Sequence, residues 1–183
     1  MGTQRYPCPP VIPILQGRIV RLRLADERDI PALVAIRQKP EVYAHWRGGD
    51  DMEGAVREDY AEPGSTGYVI ELDGRIVGWV QWAAEEEPDY RHASLDIYVD
   101  PAVHGRGVGT DAVRTMCRHL IEDHGHHRLT IDPAAHNTAA IRCYSKVGFK
   151  PVGVTRRSER GPDGIWHDGL LMDLLADEFV DVS

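Results

Sequence analysis

Short stretches in which apolar and polar residues alternate recur along this chain, and such alternation is typical of half-buried β-strands. In residues 18–24, for example, Leu22 and Leu24 alternate with two arginines. The predicted strands are residues 18–24, 68–72, 75–82, 93–99, 128–131, 149–156 and 166–174. Asp73-Gly74 is a strong turn dipeptide, so it predicts a hairpin between the second and third strands. The turn at residues 161–164 joins the last two strands into a closing pair.

Four other stretches carry apolar residues at helical spacing. The predicted helices are residues 26–38, 50–60, 108–124 and 137–146. The third is the longest, with one apolar stripe from Val108 to Ile121, and the fourth is capped by Asn137 and ended by Gly148. The order β-α-α-β-β-β-α-β-α-β-β predicts an α/β fold built on one mixed sheet.

The size of the chain, 183 residues, suits one domain with one hydrophobic core. Residues 1–16 are rich in proline and are expected to form an N-terminal extension, which leaves residues 17–183 as the single domain. No apolar run approaches the roughly 20 residues needed to span a bilayer, and no signal peptide is visible. We therefore expect a cytoplasmic protein. Three widely spaced cysteines imply no disulfide framework.

The formal charge of −8 argues against nucleic acid as a partner, because binding phosphates requires a basic surface. The same charge suits a cationic small molecule, which an acidic cleft attracts. Acidic residues concentrate between Glu85 and Asp100, with only Arg91 opposing them.

The segment from Val99 to Thr110 has the clearest chemical character. A short apolar strand enters a turn with Gly105, Gly107 and Gly109, and the turn opens the longest predicted helix. Backbone N–H groups at the positive end of a helix dipole form a site for a pyrophosphate. The spacing fits neither a Walker loop, which needs Gly-Lys-Ser/Thr, nor a Rossmann fingerprint.

A second block follows about thirty residues later: Asn137-Thr138-Ala139-Ala140-Ile141-Arg142-Cys143-Tyr144-Ser145-Lys146-Val147-Gly148-Phe149. Together, the two blocks resemble the signature segments of the GNAT N-acetyltransferases, which bind acetyl-coenzyme A. The resemblance covers nearly all of residues 16–178. It implies the GNAT fold, a mostly antiparallel central sheet that is splayed at its fourth strand and flanked by helices.

The same resemblance implies coenzyme contacts. The splayed strand would present backbone N–H groups to the thioester and pantetheine, and the glycine turn would hold the pyrophosphate. Asn137 would cap the last helix and contact the pantetheine, and Lys146 would pair with phosphates. The implied coenzyme-binding residues are Ile97, Tyr98, Val99, His104, Gly105, Arg106, Gly107, Val108, Gly109, Thr110, Asn137, Ala140, Tyr144 and Lys146. Family members usually carry Gln or Arg where His104 stands.

Two residues are the catalytic candidates. Tyr144 occupies the position of the family's tyrosine that protonates the departing thiolate. Asp96 lies on the splayed strand, where a carboxylate holds the substrate ammonium and accepts its proton, directly or through water. Asp96 shares one face of this strand with Tyr98. The alternative roles are a packed aromatic for Tyr144 and an ordinary exposed strand residue for Asp96.

A closer resemblance narrows the substrate. Segments 41–49, 68–81 and 130–144 look like those of the aminoglycoside 6'-N-acetyltransferases. Aminoglycosides carry several ammonium groups, and several carboxylates suit them. The implied substrate-binding residues are Trp46, Trp79, Gln81, Asp96, Asp132, Asp163 and Asp168. The tryptophans wall the cleft around sugar rings or pack in the core.

Other readings stay open. The same fold acetylates polyamines, lysine side chains, protein N-termini and siderophore precursors, and a binding module could keep the coenzyme pocket without turnover. Tyr144 and Asp96 argue against the module, because a sensor needs neither. The histidines at 124, 126 and 127 lack the spacing of a zinc site, so no metal is expected. The oligomeric state is expected to be a monomer or a homodimer.

Overall fold

The computed structural model describes residues 11–46, 48–161 and 163–181. Within these residues, eight strands form one sheet in the order β1-β2-β3-β4-β5-β6-β8-β7. The strands are β1 (Ile14–Gln16), β2 (Arg21–Leu24), β3 (Ser65–Leu72), β4 (Arg75–Glu85), β5 (His92–Val99), β6 (Arg128–Ile131), β7 (Lys150–Arg160) and β8 (Trp166–Leu175). The helices are α1 (Ile30–Arg37), α2 (Pro40–Tyr43), α3 (Met52–Ala61), α4 (Val108–Glu122) and α5 (Thr138–Val147). The predicted mixed α/β sheet is confirmed.

Both faces of the sheet are covered, as the alternation within β3 requires. Tyr68 and Ile70 join the larger core cluster, which includes the apolar stripe of α4. Val69, between them in sequence, points to the other face and packs in a second cluster with α1 and α3. None of the helices in the described residues combines the length and the apolar character needed to cross a membrane.

One boundary difference lies at the N-terminal side of the sheet. Residues 18–20 were predicted to begin a strand, but their three backbone N–H groups donate to the Asp111 carboxylate of α4, at 2.8 to 3.1 Å. These N–H groups are therefore not available for hydrogen bonds to a neighbouring strand. Residues 14–16, within the predicted extension, form β1 and pair with β2. The first ten residues of that extension, Arg47, Pro162 of the predicted turn and residues 182–183 lie outside the described residues.

Other differences are small. The predicted helix at 26–38 is a 3-10 turn at Glu27–Asp29 followed by α1, and the short helix α2 was missed. The hairpin strands β3 and β4 and the strand β7 are longer than predicted, because cross-strand partners extend them.

The sheet opens between β5 and β6. All other neighbours are antiparallel, whereas these two strands run parallel and pair only where Ala93 and Ser94 face Leu129 and Thr130. From residue 95 onward, β5 leaves its neighbour while remaining paired with β4 on its other side. The predicted splay at the fourth predicted strand is therefore confirmed, and its open side faces a cavity.

Candidate active site

A cavity of about 740 Å³ lies where β5 and β6 diverge. Its walls come from the end of β5, the first turn of α4, helix α5 and parts of α2 and β7. Most of the residues proposed from the sequence line it: Trp46, Gln81, Asp96, Ile97, Tyr98, Val99, His104, Gly105, Gly107, Val108, Gly109, Thr110, Asp132, Asn137, Ala140, Tyr144 and Lys146. One cavity thus joins two sequence blocks that are about thirty residues apart.

The glycine turn forms one end of this cavity. Gly105 and Gly107 have φ angles of 75° and 83°, which side-chain-bearing residues rarely adopt. Gly107 is the N-cap of α4, and the first helical bond runs from the Asp111 N–H to the Gly107 carbonyl. The preceding N–H groups of this turn therefore have no acceptor within the helix. A Cβ built on Gly105 would meet no atom within 4 Å, so a ligand can approach the backbone closely.

Neighbouring elements hold this turn in place. The Asp111 carboxylate is 6% exposed and anchors the loop that carries Ile19, whose side chain lies next to Gly107. The His104 ring donates from Nε2 to the Val99 carbonyl oxygen at 3.0 Å. Arg106 is exposed beside the turn and does not line the cavity, so the sequence-based placement of its side chain at the pyrophosphate is not met.

Helix α5 supplies the facing wall. Asn137 accepts a hydrogen bond from the Ala140 N–H at 3.1 Å, which caps the helix and fixes where it begins. The middle of α5 packs closely on the first turn of α4, since the Cys143 Sγ lies 3.4 Å from the Thr110 hydroxyl. Lys146 and Arg142 add two basic side chains to the cavity.

Strands β4 and β5 bring Gln81 and Asp96 together at the cavity wall. Gln81 lies directly opposite Asp96 in the strand register, and its side chain hydrogen-bonds the Asp96 carboxylate. The Trp79 indole N–H donates to the Gln81 Oε1 at 3.0 Å, which leaves the amide nitrogen to donate to Asp96. Trp79 itself is only 2% exposed and packs with α1 and α3. Of the two roles considered for Trp79, packing in the core is the one observed, because residues of α1 and α3 cover this part of the strand face.

Asp96 has an unusual acidity. Asp96 is exposed to solvent where it opens onto the cavity, while protein atoms crowd its carboxylate on the other sides. Burial and then the nearby charge of Asp132 raise the pKa of Asp96 to about 6, although the Gln81 hydrogen bond opposes this. Burial also raises the pKa of Asp132. A carboxylate with a pKa near the working pH is suited to accept and release a proton.

Tyr144 is the potential proton donor of the cavity. It is 7% exposed on α5, and burial raises the pKa of its phenol well above the usual range. The charges of Asp96 and Asp132 act in the same direction, so the three groups lie within electrostatic reach of one another. Tyr144 therefore keeps its proton at neutral pH.

Trp46 is the tryptophan proposed from the sequence that does line the cavity. Its ring meets Tyr98 edge-on, with 4.9 Å between the ring centroids. The Arg37 guanidinium carbon lies 5.3 Å from the centroid of the Trp46 ring, and the Arg37 Nε donates to the Trp46 carbonyl. Arg37 also pairs with Asp59 of α3, so helices α1 and α3 together fix the position of Trp46.

Two of the predicted substrate carboxylates do not line this cavity. Asp163 faces a smaller neighbouring pocket and contacts His167 at 3.0 Å. Asp168 is exposed and accepts the Arg157 N–H at 2.7 Å, which fixes a bulge in β7. Both placements correct the sequence-based expectation, because the β7 backbone holds the Asp168 carboxylate and the His167 ring holds that of Asp163.

The bulge brings in a carboxylate that sequence reasoning missed. Residues 156–158 have no partners in the strand register, and Arg157 has a φ of 51°. Beyond them, Glu159 lines both the main cavity and the smaller pocket. Its signal in the sequence was weak: one acid among Arg156, Arg157 and Arg160. Other missed lining residues are Glu41, Val42, His45, Val103, Ile131, Pro133, Ala134, Ala139, Arg142, Cys143, Ser158 and Gly169.

Comparisons with known proteins agree with this geometry. The model of the acetyltransferase (GNAT) family matches residues 32–149. The aminoglycoside N(6')-acetyltransferase type 1 of Klebsiella pneumoniae is 29% identical over 164 residues, which cover 79% of each chain. The L-amino acid N-acetyltransferase AaaT of Escherichia coli is 29% identical over 142 residues, covering 74% of this chain and 86% of that protein.

A solved structure adds a bound donor and a drug. The structure of AAC(6')-Ib in complex with paromomycin and acetyl-CoA superposes with a TM-score of 0.73 at 27% identity. The match covers 87% of this chain and 95% of that one.

Proposed function

The chain belongs to the acetyltransferase (GNAT) family, and from this premise we propose that it acetylates the 6'-amine of an aminoglycoside with acetyl-CoA as donor. The observation that carries the proposal is one cavity with an anion-binding helix end on one side and carboxylates on the other. Asp96, Asp132 and Glu159 supply the acidic side.

The residues present fit acetyl-CoA, which supplies the acetyl group as an activated thioester. The N–H groups of the turn from His104 to Thr110 would bind the pyrophosphate, where the open space beside Gly105 permits close approach. The free side of β5, residues 97–99, would bind the pantetheine, since β6 does not pair there. Lys146 and Arg142 would bind phosphate oxygens.

Asp96 would act as the base. An acceptor amine arrives as an ammonium and must lose a proton before it attacks. With its pKa at about 6, Asp96 is ionised at neutral pH and holds the ammonium, then accepts its proton. The hydrogen bond from Gln81 keeps the carboxylate oriented across the strand pair.

Tyr144 would act as the acid. As the bond from acetyl carbon to nitrogen forms and the bond to sulfur breaks, the departing thiolate needs a proton. The Tyr144 phenol carries a proton at neutral pH and lines the same cavity as Asp96. Asp96 and Tyr144 thus serve the two ends of the transfer from one cavity.

The acidic acceptor side favours a polycation over an amino acid. The relative from Escherichia coli is named for L-amino acids, whose carboxylate would need a cationic partner near the amine. Here, the charges of Asp132, Glu62 and Asp59 all raise the pKa of Asp96. Several carboxylates bind the separate ammonium groups of an aminoglycoside and repel a carboxylate.

A coenzyme A release assay tests this proposal. Aminoglycosides with a 6'-amine should be acetylated, and matched compounds with a 6'-hydroxyl should not. L-amino acids, polyamines and peptides complete the panel. Turnover with one of those alone would refute the aminoglycoside assignment. Asp132→Asn should raise KM for the drug, and the exposed Glu122→Gln serves as the matched control.

A further inference from the structure

An ion pair between Lys39 and Asp100 joins two walls of the main cavity. The Lys39 Nζ lies 2.6 Å from the Asp100 Oδ1, although the two residues are 61 positions apart in the chain. Neither side chain lines the cavity itself. The pair therefore lies outside the residues to which binding or chemistry has been assigned above.

Lys39 lies where one of these walls begins. It links α1 to α2, and its carbonyl accepts the N–H groups of Val42 and Tyr43, at 3.0 and 2.8 Å. Residues 40–46, which we call the acceptor wall, carry the cavity-lining residues Glu41, Val42, His45 and Trp46. Helix α2 has four residues and is too short to be stable by itself, so its position depends on contacts with the rest of the protein.

Asp100 lies where the opposite wall begins. Its carboxylate accepts the Ala102 N–H at 2.9 Å and so caps the 3-10 turn Pro101–Val103. The glycine turn proposed to bind the pyrophosphate, residues 104–110, follows directly, and we call it the donor turn. The oxygen that accepts the Ala102 N–H is the same Oδ1 that binds Lys39. One carboxylate oxygen thus connects the backbone before the donor turn with the beginning of the acceptor wall.

The surroundings of the pair preserve its charges. The side chains are 38% exposed for Lys39 and 15% exposed for Asp100, so water screens this pair less than one on the open surface. Burial opposes ionisation of Asp100, but the hydrogen bonds from Lys39 and from the Ala102 N–H lower its pKa. Asp100 is therefore charged at neutral pH and attracts the Lys39 ammonium.

We propose that the Lys39–Asp100 pair couples the donor turn to the acceptor wall. Coenzyme A that binds the donor turn restrains the backbone that Asp100 caps, and through Lys39 it also restrains α2. The acceptor then meets a wall that is already ordered. Lys39 and Asp100 are positioning residues and take no part in the chemical step. The gain in acceptor affinity rests on the function proposed above, whereas the effect of coenzyme A on α2 holds for any acceptor.

Hydrogen exchange at the amides of residues 42–46 tests the coupling without an acceptor. Saturating coenzyme A should slow exchange about fivefold in the unmodified protein, the size of effect of one partly exposed ion pair. In Lys39→Met, which keeps the length of the side chain, the slowing should be less than about twofold, because the charge is lost. Lys39→Arg keeps the charge and should restore most of the effect. Equal slowing in the unmodified protein and in Lys39→Met would overturn the proposal.

A matched control comes from a second lysine pair. Lys150 lies 2.5 Å from Glu178, at the beginning of β7, and both residues are absent from the cavity lining. Lys150→Met removes an ion pair of the same kind and should leave the effect of coenzyme A on residues 42–46 unchanged. Loss of the effect in Lys150→Met would show that it follows from general destabilisation and would contradict the proposal.

A double-mutant cycle shows whether the two residues act as one unit. Asp100→Asn keeps an oxygen that can accept the Ala102 N–H, but it removes the charge that Lys39 binds. The double variant Lys39→Met/Asp100→Asn should lose no more of the coenzyme effect than either single variant. Losses that add would assign the two residues separate roles and overturn the coupling.

Acceptor kinetics separate this proposal from the proposed function. At saturating acetyl-CoA, Lys39→Met should raise KM for kanamycin about fivefold and leave kcat unchanged, because the wall is less ordered while the reacting groups are intact. Calorimetry should give the reciprocal result: kanamycin raises the affinity for coenzyme A in the unmodified protein, and does so less in Lys39→Met. Ordering of α2 by coenzyme A without acetylation of aminoglycosides would refute the proposed function alone. Acetylation without that ordering would refute the coupling alone.

Discussion

Gln81 faces Asp96 across the β4–β5 pair, and its amide is oriented by the indole of Trp79. The hydrogen bond from Gln81 favours the charged carboxylate, while burial and Asp132 favour the neutral form. The pKa of Asp96, about 6, is the balance of these opposing effects.

Removal of this hydrogen bond should therefore raise the pKa of Asp96. In Gln81→Met, which is similar in size, the acidic limb of the kcat/KM profile should move to higher pH. Trp79→Phe should move it in the same direction by less, because Gln81 remains but loses its orientation. An acidic limb that stays in place in both variants would show that another group titrates there.

Loss of the carboxylate itself should slow the reaction without affecting donor binding. For Asp96→Asn, we expect kcat to fall by about 10²- to 10⁴-fold, the usual contribution of a positioned base. Calorimetry should give an unchanged affinity for coenzyme A. A variant that keeps its kcat would leave Asp96 with a binding role only.

The same substitution should stabilise the protein. The pKa of Asp96 in the folded state, about 6, lies above the ordinary value of 3.8, so the folded state binds this proton more tightly than the unfolded state. Stability from this group is present at low pH and is lost as pH rises through 6. Asp96→Asn should accordingly raise Tm at pH 8, and the difference should shrink toward pH 4. A variant that melts lower than the unmodified protein at pH 8 would contradict this sign.

Tyr144→Phe should lower kcat by about 10²-fold with little change in coenzyme affinity, since only the proton donor is removed. The exposed Tyr90→Phe is the matched control. Wild-type turnover in Tyr144→Phe would show that Tyr144 has no catalytic role and serves only to pack against Phe149.

The glycine turn allows a test with a closely matched control. Gly107 and Gly74 both have positive φ angles, 83° and 75°, so replacement by valine should strain both turns similarly. Only Gly107 lies in the cavity. Gly107→Val should abolish coenzyme binding in calorimetry, and Gly74→Val should retain it. Retained binding in a folded Gly107→Val protein would refute the pyrophosphate assignment.

The sequence by itself determined the local features of this protein. The glycines before Val108 begin α4 where predicted, and Asn137 caps α5, because positive φ angles and capping depend on residues near in the chain. Strand alternation also predicted that Asp96 and Tyr98 share a face. Segment order and motif spacing then sufficed to indicate the family.

Only the tertiary structure decided which side chains meet. Trp79 lies two residues from Gln81 on the same face, yet it is buried under α1 and α3 while Gln81 reaches the cavity. The bulge that brings Glu159 to the site depends on the hydrogen bond from Arg157 to Asp168, eleven residues further along the chain. His45, His136 and His167, whose rings lie side by side, come from three distant segments. Burial, proton affinity and charge in the site depend on such distant neighbours, so no local pattern in the sequence encodes them.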